Sequence, residues 1–226
     1  ITNNKNIVGT ENGIVAMAQE DTTTGNWVNL KNSTGATISL SGDKSVAIYA
    51  SNGKITNDGS IAVGDKGVAI YGHNNGFGDT EISTTGKITV GSQSTGIYAK
   101  DYITKDIKNS STGIIEINGS KSSAMAFVPG ALAGTTTVFE NEGKITDNNS
   151  GANNTGMFAK VAANNSLYTT KNSGTITLGD SSGLANPSVG MYTNASSVGT
   201  NPLINTGKIT VGNNGIGMYG FEQDTT

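Results

Sequence analysis

Residues 205–212 read NTGKITVG, and the chain continues through a short polar turn to GMY at residues 217–219. Near-copies of this block occur at residues 57–64 (NDGSIAVG, followed by AIY) and at residues 172–179 (NSGTITLG, followed by GMY). The glycine at the third position of the block marks each copy and recurs at positions 35, 59, 86, 113, 143, 174 and 207. A repeat of this length indicates a solenoid rather than a single globular core.

The interior of the block has the periodicity of a β-strand. Apolar residues recur at i and i+2, as in Ile88 and Val90, which places them on one face of an extended chain. Glycine supplies 32 of the 226 residues, and each glycine in a helix interior would cost about 1 kcal/mol. The pattern therefore excludes a helical hairpin repeat.

Each repeat supplies three short strands. The first ends at an Asn, with an apolar residue two positions before it, the second is the Ile-x-Val segment, and the third carries Ile-Tyr or Met-Tyr. Asparagines of Asn-x-Ser/Thr triplets are expected to fill turns and to stack in hydrogen-bonded ladders, among them Asn32, Asn109, Asn118, Asn153 and Asn194. One turn cannot bury its apolar face alone, so successive turns have to stack. The sequence predicts an all-β, right-handed parallel β-helix of about eight three-stranded coils, with residues 1–226 as one segment of a longer protein.

The residues added to the longer repeats follow the third strand, for example at residues 128–137 and 194–202. Because these additions occupy the same place in each turn, we expect loop excursions at one corner of the coil. Such a corner is a common location for the binding face of a repeat protein. The alternative is that loops are merely tolerated there.

Alternation along the third strand predicts a row of outward-facing aromatic side chains. If Ile48, Met191 and their equivalents point inward, the residue that follows each of them must point outward. The residues two positions before, such as Val46 and Val68, are expected to point inward as well. The outward residues form the candidate binding surface, which we call the aromatic stripe: Tyr49, Tyr71, Tyr98, Phe158, Tyr192 and Tyr219. An exposed row of rings is a contact surface for a partner, unless neighbouring loops cover it.

The composition excludes several classes of function. Fourteen basic residues, all of them Lys, stand against 17 acidic residues, which leaves a net charge of −3. Neither a nucleic acid nor an anionic membrane surface is expected as a partner, since both call for a basic face. With no Cys and the single histidine His73, the chain lacks the residues for disulfides, Cys/His zinc sites and Cys nucleophiles. We expect no cofactor and no metal.

Several segments are similar to catalytic or metal sites but are interpreted as repeat turns. Residues 179–183, GDSSG, resemble the loop around a serine protease nucleophile, yet His73 lies about four coils away. Asp43 and Asp65 occupy equivalent turns at a spacing that resembles a retaining glycosidase pair, but a lysine follows each and neither has an apolar wall. The glycine-rich residues 76–79 occur once, whereas calcium sites of this type need stacked copies. No catalytic residue is predicted.

The repeated blocks, together with the Arg-free, Lys- and Asn-rich composition, resemble the passenger regions of the large fusobacterial type V autotransporter adhesins. The resemblance covers residues 30–220. It implies a secreted passenger segment displayed at the cell surface from a bacterial outer membrane, with a role in virulence. The implied partner is a surface receptor, protein or glycan, on another bacterium or a host cell. The parent protein would be anchored through a translocator barrel that these residues do not include.

Three functions stay open at this point. The first is an adhesin segment, a β-helical rod that displays a binding surface and performs no covalent chemistry. The second is a passive spacer whose binding tip lies elsewhere in the parent protein. The third is a polysaccharide lyase or hydrolase on the same fold, which would need clustered carboxylates beside a Lys or Arg. Scattered carboxylates and the absence of Arg favour a non-enzymatic role.

Overall fold

The structure, a computed structural model, describes residues 1–20, 28–76, 79–101, 103–130, 136–148, 153–160, 167–183, 185–196 and 203–223. These residues form strands and turns, and among them no helix is long and apolar enough to cross a membrane. The strands are, in chain order, β1 (Thr2–Asn3), β2 (Asn6–Gly9), β3 (Val15–Glu20), β4 (Val28–Asn32), β5 (Thr37–Leu40), β6 (Val46–Ser51), β7 (Gly53–Asn57), β8 (Ser60–Val63), β9 (Val68–Asn74), β10 (Thr80–Thr84), β11 (Lys87–Val90), β12 (Thr95–Asp101), β13 (Ile107–Asn109), β14 (Ile114–Ile117), β15 (Ser123–Pro129), β16 (Thr136–Asn141), β17 (Lys144–Asp147), β18 (Thr155–Lys160), β19 (Leu167–Asn172), β20 (Thr175–Leu178), β21 (Val189–Ser196), β22 (Leu203–Asn205), β23 (Lys208–Val211) and β24 (Ile216–Gln223).

The strands form three parallel sheets of eight strands each, and every third strand along the chain belongs to the same sheet. We call them sheet A (every third strand from β1 to β22), sheet B (from β2 to β23) and sheet C (from β3 to β24). One strand from each sheet makes a turn of the coil. Within the described residues, six turns have a neighbouring turn on both sides, and the first and last have one on a single side. The predicted right-handed parallel β-helix is confirmed.

Connection lengths vary at two of the three corners. The connection from sheet C to the next strand of sheet A ranges from one residue, Asn52, to seven, residues 21–27. This is the corner at which the sequence predicts loop excursions. The structure adds a second variable corner, between sheets B and C, where the connection ranges from four residues, as at 64–67, to ten, at 179–188. The corner between sheets A and B has two to four residues throughout.

Aliphatic side chains from all three sheets form continuous rows inside the coil. In sheet B, Ile61, Ile88 and Ile115 occupy one register position in consecutive turns and are buried. In sheet C, Ile97 pairs with Met125, and both are fully buried. Because these side chains are covered mainly by the turns above and below, every interior turn depends on both neighbours for its hydrophobic stabilisation.

Asp147 interrupts one of the inward rows. It pairs with Ile117 and is buried at a position where most other turns carry an aliphatic residue. The backbone N–H of Gly179 donates to Asp147 Oδ2 at 3.4 Å. The parallel pairing of β17 with β20 ends one residue earlier, at Thr146 and Thr177. The buried carboxylate therefore coincides with a local break in the sheet B ladder.

A ladder of asparagine side chains closes the corner between sheets A and B. The Nδ2 of one asparagine donates to the Oδ1 of the asparagine one turn later, for example from Asn32 to Asn57 at 2.8 Å and from Asn141 to Asn172 at 2.7 Å. The members are Asn3, Asn32, Asn57, Asn109, Asn141, Asn172 and Asn205. These bonds satisfy amide groups that burial removes from water. The ladder expected for Asn32 and Asn109 is confirmed. Asn118 and Asn153 instead accept hydrogen bonds from Asn148 and Ser182, and Asn194 lies in β21 of sheet C, so these three are not members.

Thr84 takes the ladder position in the fourth turn and divides the ladder in two. Asn57 Nδ2 donates to Thr84 Oγ1 at 3.0 Å, and the threonine hydroxyl donates back to the Asn57 carbonyl oxygen at 3.2 Å. The hydroxyl has one hydrogen, so it cannot also donate to the next turn. In the fifth turn, the buried Asn109 Oδ1 has no hydrogen-bond partner among the described residues.

An aromatic cluster fills the interior between the fifth and seventh turns. The ring centroids of Phe127 and Phe139 lie 5.8 Å apart, and those of Phe127 and Tyr168 lie 5.3 Å apart in an edge-to-face arrangement. All three rings are buried. Burial raises the pKa of Tyr168 to about 12, and the opposing hydrogen bond with Thr193 is the smaller effect.

We expect Ile88→Asp to destabilise the protein by about 3–5 kcal/mol, because it leaves an unpaired carboxylate in the core. The matched control is Thr89→Asp in the same strand, where the side chain points outward and is half-buried. Denaturant unfolding measures both changes. A cost below about 1 kcal/mol for Ile88→Asp would contradict the assigned row.

We expect Thr84→Asn to stabilise the protein by about 1 kcal/mol, since the new amide can donate to the orphaned Asn109 Oδ1 and rejoin the ladder. Asparagine already fits the equivalent place in the other turns. Ser83→Asn, one residue earlier and facing outward, is the control and should change little. A lower unfolding midpoint for Thr84→Asn would show that the amide does not reach the next turn.

Stability should fall as the pH rises from about 10 to about 12. Tyr168 loses its proton near pH 10 in the unfolded chain but at about 12 in the fold, so the unfolded state releases the proton first and is favoured. The stabilisation is complete below pH 10 and is lost as the pH approaches 12. Urea midpoints at pH 8 and pH 11 should therefore differ less in Tyr168→Phe than in the wild type. An equal difference would exclude Tyr168 as a source.

Candidate functional site

The outer face of sheet C carries the aromatic stripe. Each ring directly follows an inward Ile or Met, and its own side chain is half-buried or exposed. Equivalent rings pair in register from turn to turn, as Tyr49 does with Tyr71 and Phe158 with Tyr192. The aromatic side chains therefore point outward, as strand alternation predicts. A role of the stripe in binding stays a prediction.

Ala126 divides the stripe into two groups of three rings. In the first group, the centroid of Tyr71 lies 5.3 Å from Tyr49 and 5.1 Å from Tyr98, with steeply inclined planes. In the second group, neighbouring centroids are 5.4 Å apart and the rings are within 9° of parallel: Phe158, Tyr192 and Tyr219. Ala126 pairs with both Tyr98 and Phe158, so its small side chain interrupts the row. The stripe therefore presents two aromatic patches of different geometry.

The row beside the stripe corrects one expectation. Val46 and Val68, expected to point inward, are half-buried, whereas Ala47 and Ala69 beside them are fully buried. Val189 and Ile216, the equivalent residues of the last two turns, are half-buried as well. Two consecutive residues point inward where the chain turns the corner from sheet B to sheet C, and this breaks the two-residue alternation. The outer face of sheet C therefore has a β-branched row next to the aromatic row.

A groove with a volume of about 490 Å³ lies at the N-terminal end of the stripe. Its apolar wall is formed by Val15, Ala18, Val46, Tyr49 and Tyr71, and its polar edge by Gln19 and Glu20. Sequence reasoning missed this groove. The available signal was Ala18, which occupies the aromatic position of the first turn and leaves space above Tyr49.

Charged groups border the first aromatic patch. Burial, and then the hydrogen bond and negative charge of Glu20, raise the pKa of Tyr49 to about 12. Burial also raises the pKa of Tyr98. Beyond Tyr71 in β9 and Tyr98 in β12, His73 Nε2 lies 2.8 Å from Asp101 Oδ2. The Tyr49 and Tyr98 hydroxyls consequently stay protonated, and able to donate hydrogen bonds, well above neutral pH.

The segments similar to catalytic sites are repeat turns in the structure. Ser181 is buried and accepts a hydrogen bond from Ser188 N, and His73 lies four turns away in β9. Asp65 Oδ1 accepts from Ser92 N at 2.7 Å, so it links one turn to the next. No group of three His, Cys, Asp or Glu residues that could hold a metal ion occurs within the described ranges. The glycine-rich segment at 76–79 includes residues 77 and 78, which lie outside those ranges.

The fold and this outer face place the chain among the right-handed parallel β-helix domains. Residues 28–226 match the model of a family described as the BigA third pectate lyase-like domain, and the chain therefore belongs to that family. No curated protein and no solved structure matches the chain. BigA is an autotransporter-type adhesin, which supports a passenger-domain segment.

Tyr98→Ser should cost much less stability than the roughly 3–5 kcal/mol expected for truncating a buried aromatic ring, because the Tyr98 ring lies on the outside. Phe127→Ser, which truncates a ring buried in the core, is the matched comparison. Thermal and denaturant unfolding of both variants measure the difference. Equal losses would place Tyr98 in the core and reverse the orientation of sheet C.

Proposed function

We propose that this chain is an adhesive segment of an autotransporter passenger, a rod that holds the outer face of sheet C toward a receptor. The observation that carries the proposal is the aromatic stripe, six outward rings in one row along the rod. Tyr and Phe offer large contact area at a small cost in side-chain entropy, and they are frequent in the centres of interfaces. Family membership supports the same function, since BigA is an autotransporter-type adhesin.

The location follows from the same proposal. A passenger segment acts outside the cell, displayed from the outer membrane, where its partner is a protein or glycan on another bacterium or a host cell. A fusobacterial parent is the finer part of the proposal. Its support is compositional: fourteen lysines, no arginine, and repeat blocks dense in Asn and Gly.

A lyase or hydrolase is the second candidate, because the family is named for its pectate lyase-like fold. An acid–base site on this fold would gather carboxylates in one groove. Here carboxylates on different faces instead pair with lysines, for example Glu81 with Lys54 at 2.8 Å and Glu116 with Lys87 at 2.8 Å. The groove beside Tyr49 contains the single carboxylate Glu20. These observations favour binding over catalysis.

The test is binding of the fluorescently labelled chain to bacterial and epithelial cells, measured by flow cytometry. The stripe variant carries Tyr71→Ser, Tyr98→Ser and Tyr192→Ser. The matched control carries three substitutions on the outer face of sheet B, at half-buried positions: Thr89→Ser, Thr146→Ser and Thr177→Ser. We expect the control to bind like the wild type and the stripe variant to lose about tenfold or more in affinity.

The other outcomes identify the alternatives. A wild-type chain that binds no cell is a passive spacer. Equal binding by the stripe variant would move the contact away from sheet C. Release of unsaturated or reducing sugar ends from pectin or other polysaccharides would establish the enzymatic candidate. Protease or periodate treatment of the cells before binding separates a protein receptor from a glycan receptor.

A further inference from the structure

Three consecutive turns of the outer face of sheet C differ in chemistry from the rest of that face. The row beside the aromatic stripe holds valine or isoleucine in the other turns, for example Val68 in the third turn and Val189 in the seventh. In the fourth to sixth turns the same register position carries hydroxyl residues, all half-buried: Thr95, Ser123 and Thr155. We call these three residues the hydroxyl row. It borders one side of the stripe.

The stripe itself has a notch in the middle of these three turns. Ala126 takes the ring position of the fifth turn, and its neighbours in register are Tyr98 and Phe158. Ala126 is buried and forms the floor, and we call this place the fifth-turn notch. Because two turn spacings separate the flanking residues, they lie about 10 Å apart along the rod. A ring-shaped group above Ala126 would therefore lie about 5 Å from each aromatic side chain, a normal distance for packed rings.

Two lysines border the stripe on the side opposite the hydroxyl row. Lys100 and Lys160 each come two residues after the ring of their own strand, so their side chains point outward beside the notch. Lys160 is exposed. Lys100 Nζ lies 3.6 Å from Asp101 Oδ2, but that carboxylate oxygen is closer to His73 Nε2 of the preceding turn, at 2.8 Å. The notch thus has positive charge at one edge, which the nearest carboxylate neutralises only in part.

The two aromatic side chains, the hydroxyl row and the lysines together define the chemistry of a ligand. A ring-shaped body fits between the aromatic side chains, hydrogen-bonding groups match the hydroxyl row, and a negative charge matches the lysines. A pyranose ring has apolar C–H faces and hydroxyl edges, and a carboxylate or sulfate on it supplies the charge. An aromatic side chain of a protein has the faces but lacks polar groups on both edges. Two lysines match one anionic group, whereas a nucleic acid calls for a longer basic face.

We infer that the fifth-turn notch binds a single sugar ring that carries a negative charge. The ring lies above Ala126 between the two aromatic side chains, its hydroxyl groups face the hydroxyl row, and its carboxylate or sulfate faces the two lysines. The inference rests on the adhesive function proposed above and narrows its receptor to a glycan with an acidic sugar. Carboxylated and sulfated sugars share this chemistry, and the experiment includes one of each.

Calorimetric titration of the whole chain with defined sugars at millimolar concentration tests the ligand class. Sialyllactose carries a carboxylate, 6-sulfolactose carries a sulfate, and lactose is the neutral counterpart of both. We expect the wild type to bind at least one of the charged sugars about tenfold or more tightly than lactose, because the lysines contribute to that complex alone. Added salt should weaken the binding of the charged sugar and leave lactose unaffected.

Filling the notch tests its position. Ala126→Tyr introduces the ring that the equivalent position carries in most other turns, so the chain should keep its melting temperature and lose sugar binding. Ala18→Tyr is the matched control, since it also fills an alanine position of the stripe, but in a strand that carries Val15 and Glu20 instead of a hydroxyl residue and a lysine. It should bind the charged sugar like the wild type.

Removing one charge tests the lysine edge. Lys160→Gln should lower the affinity for the charged sugar about fivefold and leave that for lactose unchanged, since only the charged sugar has an anionic group to pair. Lys144→Gln removes the same charge from an exposed position of sheet B in the same turn and should change neither affinity.

Three results would overturn the inference. A wild type that binds neither charged sugar has no site of this kind, and the adhesive function still stands if the chain binds cells through the stripe. Equal affinities for lactose and the charged sugars would remove the role of the lysines. Unchanged sugar binding by Ala126→Tyr would place the sugar elsewhere on the rod. Conversely, sugar binding that Ala126→Tyr abolishes, in a chain that binds no cell, would support the notch and contradict the adhesive function.

Discussion

Parallel hydrogen bonding between consecutive turns is the constraint on which the rest of this structure depends. It fixes the distance between turns, so each side chain has to be compatible with its equivalents above and below. The row that includes Gly86 and Gly174 shows the constraint most directly, because a Cβ at either position would overlap the carbonyl oxygen of the equivalent glycine one turn earlier. Stacked isoleucines inside and hydrogen-bonded asparagines at the corner meet the same requirement with larger side chains.

The same constraint organises the outside of the rod. Outward residues at one register position form a row along the whole length, whatever their chemistry. In sheet A the outward positions of adjacent strands carry opposite charges, as Lys54 and Glu81 do, while in sheet C they carry aromatic rings. A β-helix therefore offers three faces with separate chemistry on one rigid support. This suits a protein that displays a contact surface, and it explains why a pectate lyase-like fold can serve an adhesin family.

Departures from the repeat have local physical consequences because each turn packs against its neighbours and forms hydrogen bonds with them. Thr84 leaves an acceptor of the next turn without a donor, Asp147 coincides with the end of a strand pairing, and Ala126 separates two aromatic patches.

The sequence by itself determined the three strands of each turn, the inward isoleucine and methionine rows, the asparagine ladder and the outward rings. These features repeat at a fixed period, and alternation or ladder formation follows from residue type alone. Only the tertiary structure decided the outward position of Val46, the groove beside Tyr49 and the interior cluster around Phe127. Each of these depends on how the chain turns a corner, or on contacts between residues of different turns. The two-residue alternation of a strand predicts neither the corner nor these contacts, because alternation ends where the strand bends.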